Sequence, residues 1–167
     1  TAVPFKQHEL ANGTTTIKAV DFDKGAQRVA YFDRDTASYH YTPGVNTAGN
    51  RGWAYRNDGV DIKRENDDHH IFHIEDGEWL QYTVSVKNNG NYQFTFRTRA
   101  DSVKGALTIL ANEKSLTKMD LPVSSAKQWM STPTRPLRLT KGIHRLKIYI
   151  DKGGFELLDV TATRLPK

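Results

Sequence analysis

The sequence contains no cysteine, which excludes disulfides, thiolate metal sites and cysteine nucleophiles. It also contains no apolar run approaching the roughly 18 residues that a membrane-spanning helix needs. The 24 Lys and Arg residues outnumber the 19 Asp and Glu residues only slightly, and no run of like charge is typical of a nucleic-acid-binding arm. The start of the chain lacks the pattern of a signal peptide. We therefore expect neither nucleic acid nor membrane as a partner, and we expect any export signal to lie upstream.

Alternation of apolar and polar residues is the strongest structural signal in the sequence. It extends over Trp79–Val86 and again over residues 92–100, and the intervening Asn88, Asn89 and Gly90 predict a tight hairpin. No window shows the apolar stripe of a helix. Short strands separated by turn residues are typical of an all-β sandwich. Further strands are predicted over residues 15–20, 28–32, 71–74, 106–111, 135–139, 143–150 and 155–164.

The length of 167 residues is that of one domain. We predict an N-terminal extension or linker remnant over residues 1–14 and a single β-sandwich module over residues 15–167. Residues 33–57 are rich in Tyr, Thr, Asn, Gly and charge, and they predict a long loop or a pair of loops. Long loops on a rigid sandwich commonly carry binding residues.

Three histidines, His69, His70 and His73, lie close to Asp67 and Asp68 and offer the ligand types that zinc prefers. On a strand, however, His69 and His73 share one face and His70 points to the other. Three ligands from this segment would not converge without a bend, and no second cluster of His or Cys completes the set. The sequence therefore favours no bound metal here.

The carboxylates between Glu65 and Glu78 fall in one loop-and-turn segment and favour a solvated surface over a catalytic pair. No nucleophile elbow, phosphate-binding loop or zinc-protease motif is present. An autonomous hydrolase using these carboxylates is therefore the weakest alternative, and a binding role is favoured. Flat rings with polar edges suit sugar binding, although each ring could instead fill the core. The aromatic residues in or beside predicted loops are Tyr31, Tyr39, Tyr41, Trp53, Tyr55 and Trp129.

Three motifs together resemble the family 6 carbohydrate-binding modules. The first is Ala48-Gly49-Asn50 followed by Tyr55-Arg56 and Val60-Asp61-Ile62, and the second is the run IEDGEWLQYTV over residues 74–84. The third is a series of short features that follow in the order typical of the family: Gly90-Asn91-Tyr92, Trp129, Lys141-Gly142 and Gly153-Gly154-Phe155-Glu156-Leu157. The order and spacing of these features hold over nearly the whole chain.

The resemblance implies a β-sandwich of jelly-roll type that is non-catalytic by itself and targets an appended, secreted or cell-surface glycoside hydrolase to a polysaccharide. It implies a loop-end cleft in which two rings clamp a sugar and an Asn binds its hydroxyls. By position, the rings are Trp129 and His73, and Glu156 replaces the Asn. Histidine stacks more weakly, and a carboxylate accepts hydrogen bonds but cannot donate them as an amide does. Further contributors are expected at Tyr31, Asn50 and Tyr55.

The resemblance also implies a structural calcium and, as in some members of the family, a second site on the concave sheet face centred on Trp79. The alternative is that Trp79 is a packing residue. The calcium is disfavoured because Lys18 and Val20 stand where the family has glutamates, and a hard cation needs six or more oxygens. We hypothesise that Lys18 replaces the metal by pairing with Asp21 or another carboxylate. No cofactor is expected.

Two functions follow from these patterns. The first is the binding of a polysaccharide, β-glucans or galactans by family analogy, by a monomeric module covalently linked to a catalytic domain. The second is a module of the same fold that has lost sugar binding and acts as a spacer or docking domain. His73 and Glu156 favour the second alternative, and the retained Trp129 favours the first.

Overall fold

The computed structural model describes residues 1–34, 54–56, 58–124 and 127–167. Over these ranges the chain forms thirteen strands and a short 3-10 turn at Ala19–Asp21. The strands are β1 (His8–Leu10), β2 (Thr14–Lys18), β3 (Tyr31–Phe32), β4 (Ile62–Glu65), β5 (Asp68–Ile71), β6 (Trp79–Val86), β7 (Gly90–Arg99), β8 (Gly105–Ala111), β9 (Lys114–Leu121), β10 (Met130–Pro133), β11 (Leu137–Leu139), β12 (Gly142–Lys152) and β13 (Glu156–Arg164).

The strands form two sheets that share one core. The first sheet has the order β1-β6-β12-β8-β9, and β3 also pairs with β6. The second has the order β10-β7-β13-β5-β4, with β11 added to β7 and β2 added to β13. The predicted β-sandwich class is therefore confirmed. No helix within the described ranges has the length and apolar character to span a membrane.

Period-two alternation sends apolar side chains from both sheets into the core. On β7 the rings of Tyr92, Phe94 and Phe96 are buried, while the intervening residues face outward. On β12 the buried residues are Leu146, Ile148 and Ile150, so Lys147 and Tyr149 lie on the outer face. The same alternation that stabilises the core therefore determines which side chains each sheet presents to solvent.

The predicted hairpin between β6 and β7 is wrong, although both strands are present. β6 pairs with β12 in the first sheet, whereas β7 pairs with β13 in the second. The residues between them therefore carry the chain across the core from one sheet to the other. A Cβ at Gly90 would lie 2.8 Å from Arg164 Nε, so a larger residue there would require the Arg164 side chain to move.

The N-terminal residues differ from the predicted extension. β1 pairs in parallel with β6, and Leu10 is fully buried in the core. The predicted strand over 71–74 instead spans Asp68–Ile71, because His73 adopts a positive φ of 50° that bends the chain. Most of the predicted loop over 33–57 lies outside the described residues. Four strands, β1, β4, β9 and β10, were not predicted.

Candidate functional site

A cleft of about 830 Å³ opens at one end of the sandwich. Its walls come from β4, the β5–β6 connection, the end of β7 and the start of β13, which the sheet pairing brings together. Pockets of this size are typical of small-molecule sites. Its lining is polar and charged apart from a few residues; it comprises Lys63, Glu65, His73, Ile74, Glu75, Arg99, Ala100, Asp101, Ser102, Lys127, Gly154, Phe155 and Glu156.

Arg99 connects the two carboxylates in the floor of this cleft. Its Nη1 and Nη2 atoms donate to the two Glu65 carboxylate oxygens at 3.0 and 2.6 Å, and its Nε donates to Glu156 Oε2. Arg99 and Glu156 lie opposite each other in the β7–β13 register. The sequence did not predict this cluster. The alternation of residues on β7 places Arg99 on the polar face of the strand, but it does not show which carboxylates lie beside it.

The ring of Trp129 lies against Arg99. The guanidinium carbon is 4.4 Å from the ring centre, which is a cation–π contact. The edge of Trp129 meets the ring of His70 at 5.1 Å, and His70 Nε2 lies 3.3 Å from Glu156 Oε1. Trp129 is half-buried and is not among the residues that line the cleft. Arg99 lines the cleft and also contacts the Trp129 ring, so it lies between the two.

His73 and Glu156, two of the predicted site residues, lie in the wall of this cleft. His73 is exposed, and its Nε2 is 3.6 Å from Glu75 Oε1. The structure therefore brings His73 and Glu156 into one cleft and places Trp129 beside it, with Arg99 on its ring. The binding role of these three residues remains a prediction.

Tyr31 and Tyr55, the other predicted contributors that the structure describes, lie away from the cleft. Tyr31 is buried in the core, and its hydroxyl accepts a hydrogen bond from the Gly59 amide at 3.1 Å. Tyr55 is exposed, and its hydroxyl donates to Asp21 Oδ1 at 2.5 Å; burial and this hydrogen bond raise the pKa of Tyr55 to about 12. Asn50 lies outside the described residues.

The pKa values of Glu65, Arg99 and Glu156 are shifted in the directions that favour their charged forms. Burial acts to raise the pKa of Glu156, but hydrogen bonds from His70 and Arg99 outweigh burial and lower it to about 2. Hydrogen bonding to Arg99 also lowers the pKa of Glu65, and bonding to Glu65 holds the pKa of Arg99 above its ordinary value. Both carboxylates therefore stay ionised, and acceptor-only, over the usual working pH range.

The three neighbouring histidines do not converge in the structure. His69 packs against Tyr55, with 4.9 Å between ring centres, whereas His70 is buried beside Trp129 and His73 lies in the cleft wall. Within the described ranges no three His, Cys, Asp or Glu side chains are grouped to hold a metal ion. The prediction that His69 and His73 share one face of a strand is wrong, because the strand ends at Ile71 and His73 lies beyond it with a positive φ.

A second aromatic surface lies on the outer face of the first sheet. We call Trp79 and Tyr149 the Trp79 platform; the two residues are directly opposite each other in the β6–β12 register. Tyr149 is 37% exposed and Trp79 is half-buried. A groove of about 370 Å³ runs along the platform and is lined by Trp79, Thr108, Leu110, Glu113, Lys147 and Tyr149.

Lys147 covers the ring of Trp79. Its Nζ lies 4.1 Å from the ring centre and donates to both carboxylate oxygens of Glu113 at 2.8 and 3.0 Å. Glu113 follows Asn112 in the β8–β9 turn, where both residues have positive φ, 49° for Asn112 and 69° for Glu113. This two-residue turn places the Glu113 carboxylate beside Lys147 on β12.

The residues at the family's calcium position do not fit a calcium ion. Lys18 Nζ lies 3.4 Å from Asp68 Oδ1, and Val20 is fully buried. The Arg56 guanidinium already binds the backbone carbonyls of this segment, reaching Val20 O at 3.2 Å and Asp23 O at 2.9 Å as well as Phe22 O. Two cationic side chains therefore occupy this region, where a calcium site would need oxygen ligands.

Comparison with known proteins identifies the family of this sandwich. The family model for carbohydrate binding module (family 6) matches residues 53–166, which is well over half of the chain. The chain is a family 6 carbohydrate-binding module. The module is therefore a non-catalytic domain that binds carbohydrate, as its sequence motifs indicated.

One relative of the module is the clotting factor G alpha subunit of Tachypleus tridentatus, which is 21% identical over 163 residues. The match covers 96% of the module and 21% of that subunit, so the chain spans about a fifth of the length of this relative.

Two solved structures show the same fold at low sequence identity. The C-terminal family 6 module of the marine laminarinase LamC from Zobellia galactanivorans has a TM-score of 0.66 and 15% identity, covering 90% of this chain and 99% of that one. A family 6 module from Clostridium stercorarium in complex with cellobiose has a TM-score of 0.66 and 10% identity, covering 96% and 98% respectively.

Proposed function

We propose that the module binds a β-linked glucan in the loop-end cleft. The observation that carries this proposal is the Arg99–Glu65–Glu156 cluster in the floor of an 830 Å³ polar cleft. Sugar hydroxyls need donors and acceptors held at fixed positions, and ions that are already bonded to one another need little ordering when the ligand arrives.

The chemistry of the cluster suits a hydroxyl-rich ligand. An arginine carries five N–H donors, of which the hydrogen bonds to Glu65 and Glu156 use three. The remaining donors and the carboxylate lone pairs can meet the hydroxyls of a sugar. Glu156 accepts a hydrogen bond from a hydroxyl where the family has an amide, and His73 adds a ring to the lining of the cleft.

The choice of a glucan rests on relatives. The Zobellia module belongs to a laminarinase, and the Clostridium module was solved with cellobiose, a β-linked glucose disaccharide. We further propose that the module is joined to a glycoside hydrolase, as the Zobellia module is part of a laminarinase, and that it raises the local concentration of that enzyme on its substrate. The secreted location is proposed from the family resemblance. Binding in the micromolar to millimolar range, about −8 to −4 kcal/mol, is sufficient for this purpose.

One observation favours the alternative of a module without sugar binding. Arg99 covers the Trp129 ring in the position where a sugar ring would stack. In that case the cluster would be only an internal cross-link between the β4–β5 hairpin, β7 and β13, and the module would serve as a spacer or docking domain.

A titration with two matched tryptophan variants separates these functions. The intact chain, Trp129→Ala and Trp79→Ala are titrated with cello-, laminari- and galacto-oligosaccharides by tryptophan fluorescence and calorimetry. We expect a glucan oligosaccharide to bind the intact chain and Trp79→Ala alike, and to lose about tenfold or more in affinity with Trp129→Ala. Trp129→Phe, which keeps a ring on Arg99, should restore most of the affinity.

Circular dichroism and melting curves must show that each variant is folded. If no oligosaccharide binds the folded intact chain, the spacer function is supported and the cleft proposal fails. If binding depends on Trp79 instead, carbohydrate binding stands but its location in the loop-end cleft is wrong.

A further inference from the structure

The sequence contains two Asn-Gly pairs, Asn12-Gly13 and Asn89-Gly90, and one arginine binds both of them. Arg164 Nη1 donates to Asn12 Oδ1 at 2.7 Å, and Arg164 Nη2 donates to the backbone carbonyl of Asn89 at 2.8 Å. Arg164 is the last residue of β13, a strand of nine residues whose first residue lies in the cleft. At about 3.3 Å per residue, the two pairs lie roughly 26 Å from the cleft.

An asparagine that precedes a glycine is open to a reaction within the chain. The backbone nitrogen of the glycine can attack the side-chain Cγ of the asparagine and close a five-membered ring. Glycine has no Cβ to hinder this approach, and the two reacting groups are already held in one short segment. The reaction needs a free glycine N–H, some backbone mobility and a donor for the negative charge that forms on Oδ1. The surroundings of each pair therefore determine whether it reacts.

The Asn12-Gly13 pair lies in the exposed connection between β1 and β2. Gly13 has a φ of 86°, and a Cβ there would meet no atom within 4 Å. In the part of the chain that the structure describes, the Gly13 N–H has no hydrogen-bond acceptor, although the Gly13 carbonyl accepts from the Arg164 amide at 3.2 Å. The attacking nitrogen is therefore open to water and has no bond to break.

Arg164 provides a cationic donor for the side-chain carbonyl of Asn12. Attack on Cγ moves negative charge onto Oδ1, and the Nη1–H of Arg164 already points to this atom at 2.7 Å. A charged donor placed where negative charge develops lowers the barrier to such an attack. The guanidinium is held in this position, because Nη2 binds the Asn89 carbonyl and Nε is buried beside Gly90 with no hydrogen-bond partner among the described residues.

The Asn89-Gly90 pair has the same sequence in a rigid setting. Asn89 Oδ1 accepts a hydrogen bond from the Lys141 amide at 2.6 Å. Gly90 is buried, begins β7 and lies opposite Leu139 of β11. Its nitrogen can reach the Asn89 side chain only if the start of β7 opens, and opening of a paired strand costs free energy. The fold therefore protects this pair and leaves Asn12-Gly13 reactive.

We propose that Asn12 is a site of spontaneous deamidation and that Arg164 promotes the reaction. The Gly13 nitrogen gives its proton to water and forms a bond to Asn12 Cγ. The bond between Cγ and Nδ2 then breaks, and ammonia leaves, so that a succinimide ring remains. Water opens the ring at either carbonyl carbon and gives aspartate or isoaspartate at this position. Water is the only co-reactant, and nothing is oxidised or reduced.

The two products differ in their effect on the attachment of β2. An aspartate carboxylate still faces Arg164 and replaces a neutral acceptor by an ion pair, so it keeps the existing contact. Isoaspartate adds a CH₂ group to the main chain directly before Thr14, which is in register with Thr163 and whose hydroxyl lies 2.8 Å from the Thr163 hydroxyl. We expect aspartate to leave the melting temperature unchanged or raise it, and isoaspartate to lower it.

The experiment follows both pairs in the same protein. The intact chain is incubated in mildly alkaline buffer, folded or unfolded in urea, and the peptides containing Asn12 and Asn89 are quantified over time by mass spectrometry. In the folded chain we expect Asn12 to convert at least about tenfold faster than Asn89, because β7 must open for the second reaction. In urea the two rates should be similar, since the strands and Arg164 no longer act.

Variants at Arg164 test its part in the reaction. Arg164→Met keeps most of the length of the side chain but removes its donors, and we expect the folded chain to convert Asn12 about threefold to tenfold more slowly. Arg164→Lys keeps the charge and should give an intermediate rate. Neither variant should change the rate in urea. In Asn12→Gln the longer side chain would have to close a larger ring, so the signal should disappear. Circular dichroism shows whether each variant is folded.

The proposal is overturned if Asn12 converts no faster than Asn89 in the folded intact chain. It is also overturned if a folded Arg164 variant converts Asn12 at the rate of the intact chain or faster, because Arg164 would then restrain Asn12 and not promote its reaction. The comparison of the two pairs needs no variant, so it remains decisive if Arg164→Met does not fold. Sugar binding enters none of these measurements, so a failure of the cleft proposal would not affect them.

Discussion

Two tryptophans in the described part of the chain have a cation on the ring, and the two arrangements are built differently. At Trp129, Arg99 is held by two carboxylates that project from β4 and β13, and these are 40% and 26% exposed. At Trp79, Lys147 is held by one turn carboxylate that is 70% exposed. The first cation is held by carboxylates from two strands, and the second depends on one solvated partner. The cation–π contact is therefore firmly held at Trp129, where two carboxylates fix the cation, and more weakly held at Trp79, where one exposed carboxylate does so.

The largest expected difference between the two sites is in stability. Arg99→Met leaves Glu65 and Glu156 ionised side by side without a counter-ion, and we expect the free energy of unfolding to fall by roughly 2 to 3 kcal/mol. The matched variant Lys147→Met removes the other cation and should cost less than about 0.5 kcal/mol. Urea unfolding of both variants provides the measurement. Equal losses would show that the two sites do not differ as described.

An effect of similar size is expected from pH at the cleft. The pKa of Glu156 is lowered from 4.5 to about 2 in the folded chain, so its stabilising contribution is complete above pH 4.5 and is lost as the pH falls toward 2. The full contribution is on the order of 2 to 3 kcal/mol.

Urea unfolding between pH 6 and pH 2 measures this dependence. In Glu156→Gln the corresponding part of the pH profile should be flatter, whereas Glu113→Gln should follow the profile of the intact chain. A profile that Glu156→Gln leaves unchanged would contradict the assignment of the low pKa to this carboxyl group.

The smallest expected effect is that of calcium on the melting temperature. It concerns a third region of the module, where the cationic side chains of Lys18 and Arg56 lie. Arg56 binds the backbone carbonyls around Val20 and Asp23, and Lys18 pairs with Asp68. We propose that these side chains replace the family's structural metal. Millimolar calcium or excess chelator should then shift the melting temperature by less than about 1 °C. A shift of several degrees, removed by chelator, would show that a calcium ion does bind.

Strand existence could be predicted from the sequence wherever a strand is central in its sheet. β6, β7 and β12 alternate over most of their length, because one face of each is buried. The four strands that were missed, β1, β4, β9 and β10, stand at the ends of the two sheet orders. In β9 only Leu121 is buried, so the alternation that reveals a strand is absent.

Partners were harder to predict than strands. Alternation cannot distinguish a hairpin from a crossing between sheets, which is why β6 and β7 were paired wrongly. The same limit applies to the cleft: Glu65, Arg99 and Glu156 are far apart in sequence and meet only through strand register. Resemblance to the family located His73, Trp129 and Glu156 by position, but it gave no indication that Arg99 would lie against the ring of Trp129.

The position of β13 has a consequence for how the chain folds. This last strand of the sequence pairs with β7 on one edge and with β2 and β5 on the other, so residues 14–18 find their partners only at residues 159–163. On a ribosome the second sheet therefore cannot close until residues 159–163 have emerged. Such long-range pairing slows folding, and the open strands on either side of the gap are exposed to wrong partners in the meantime.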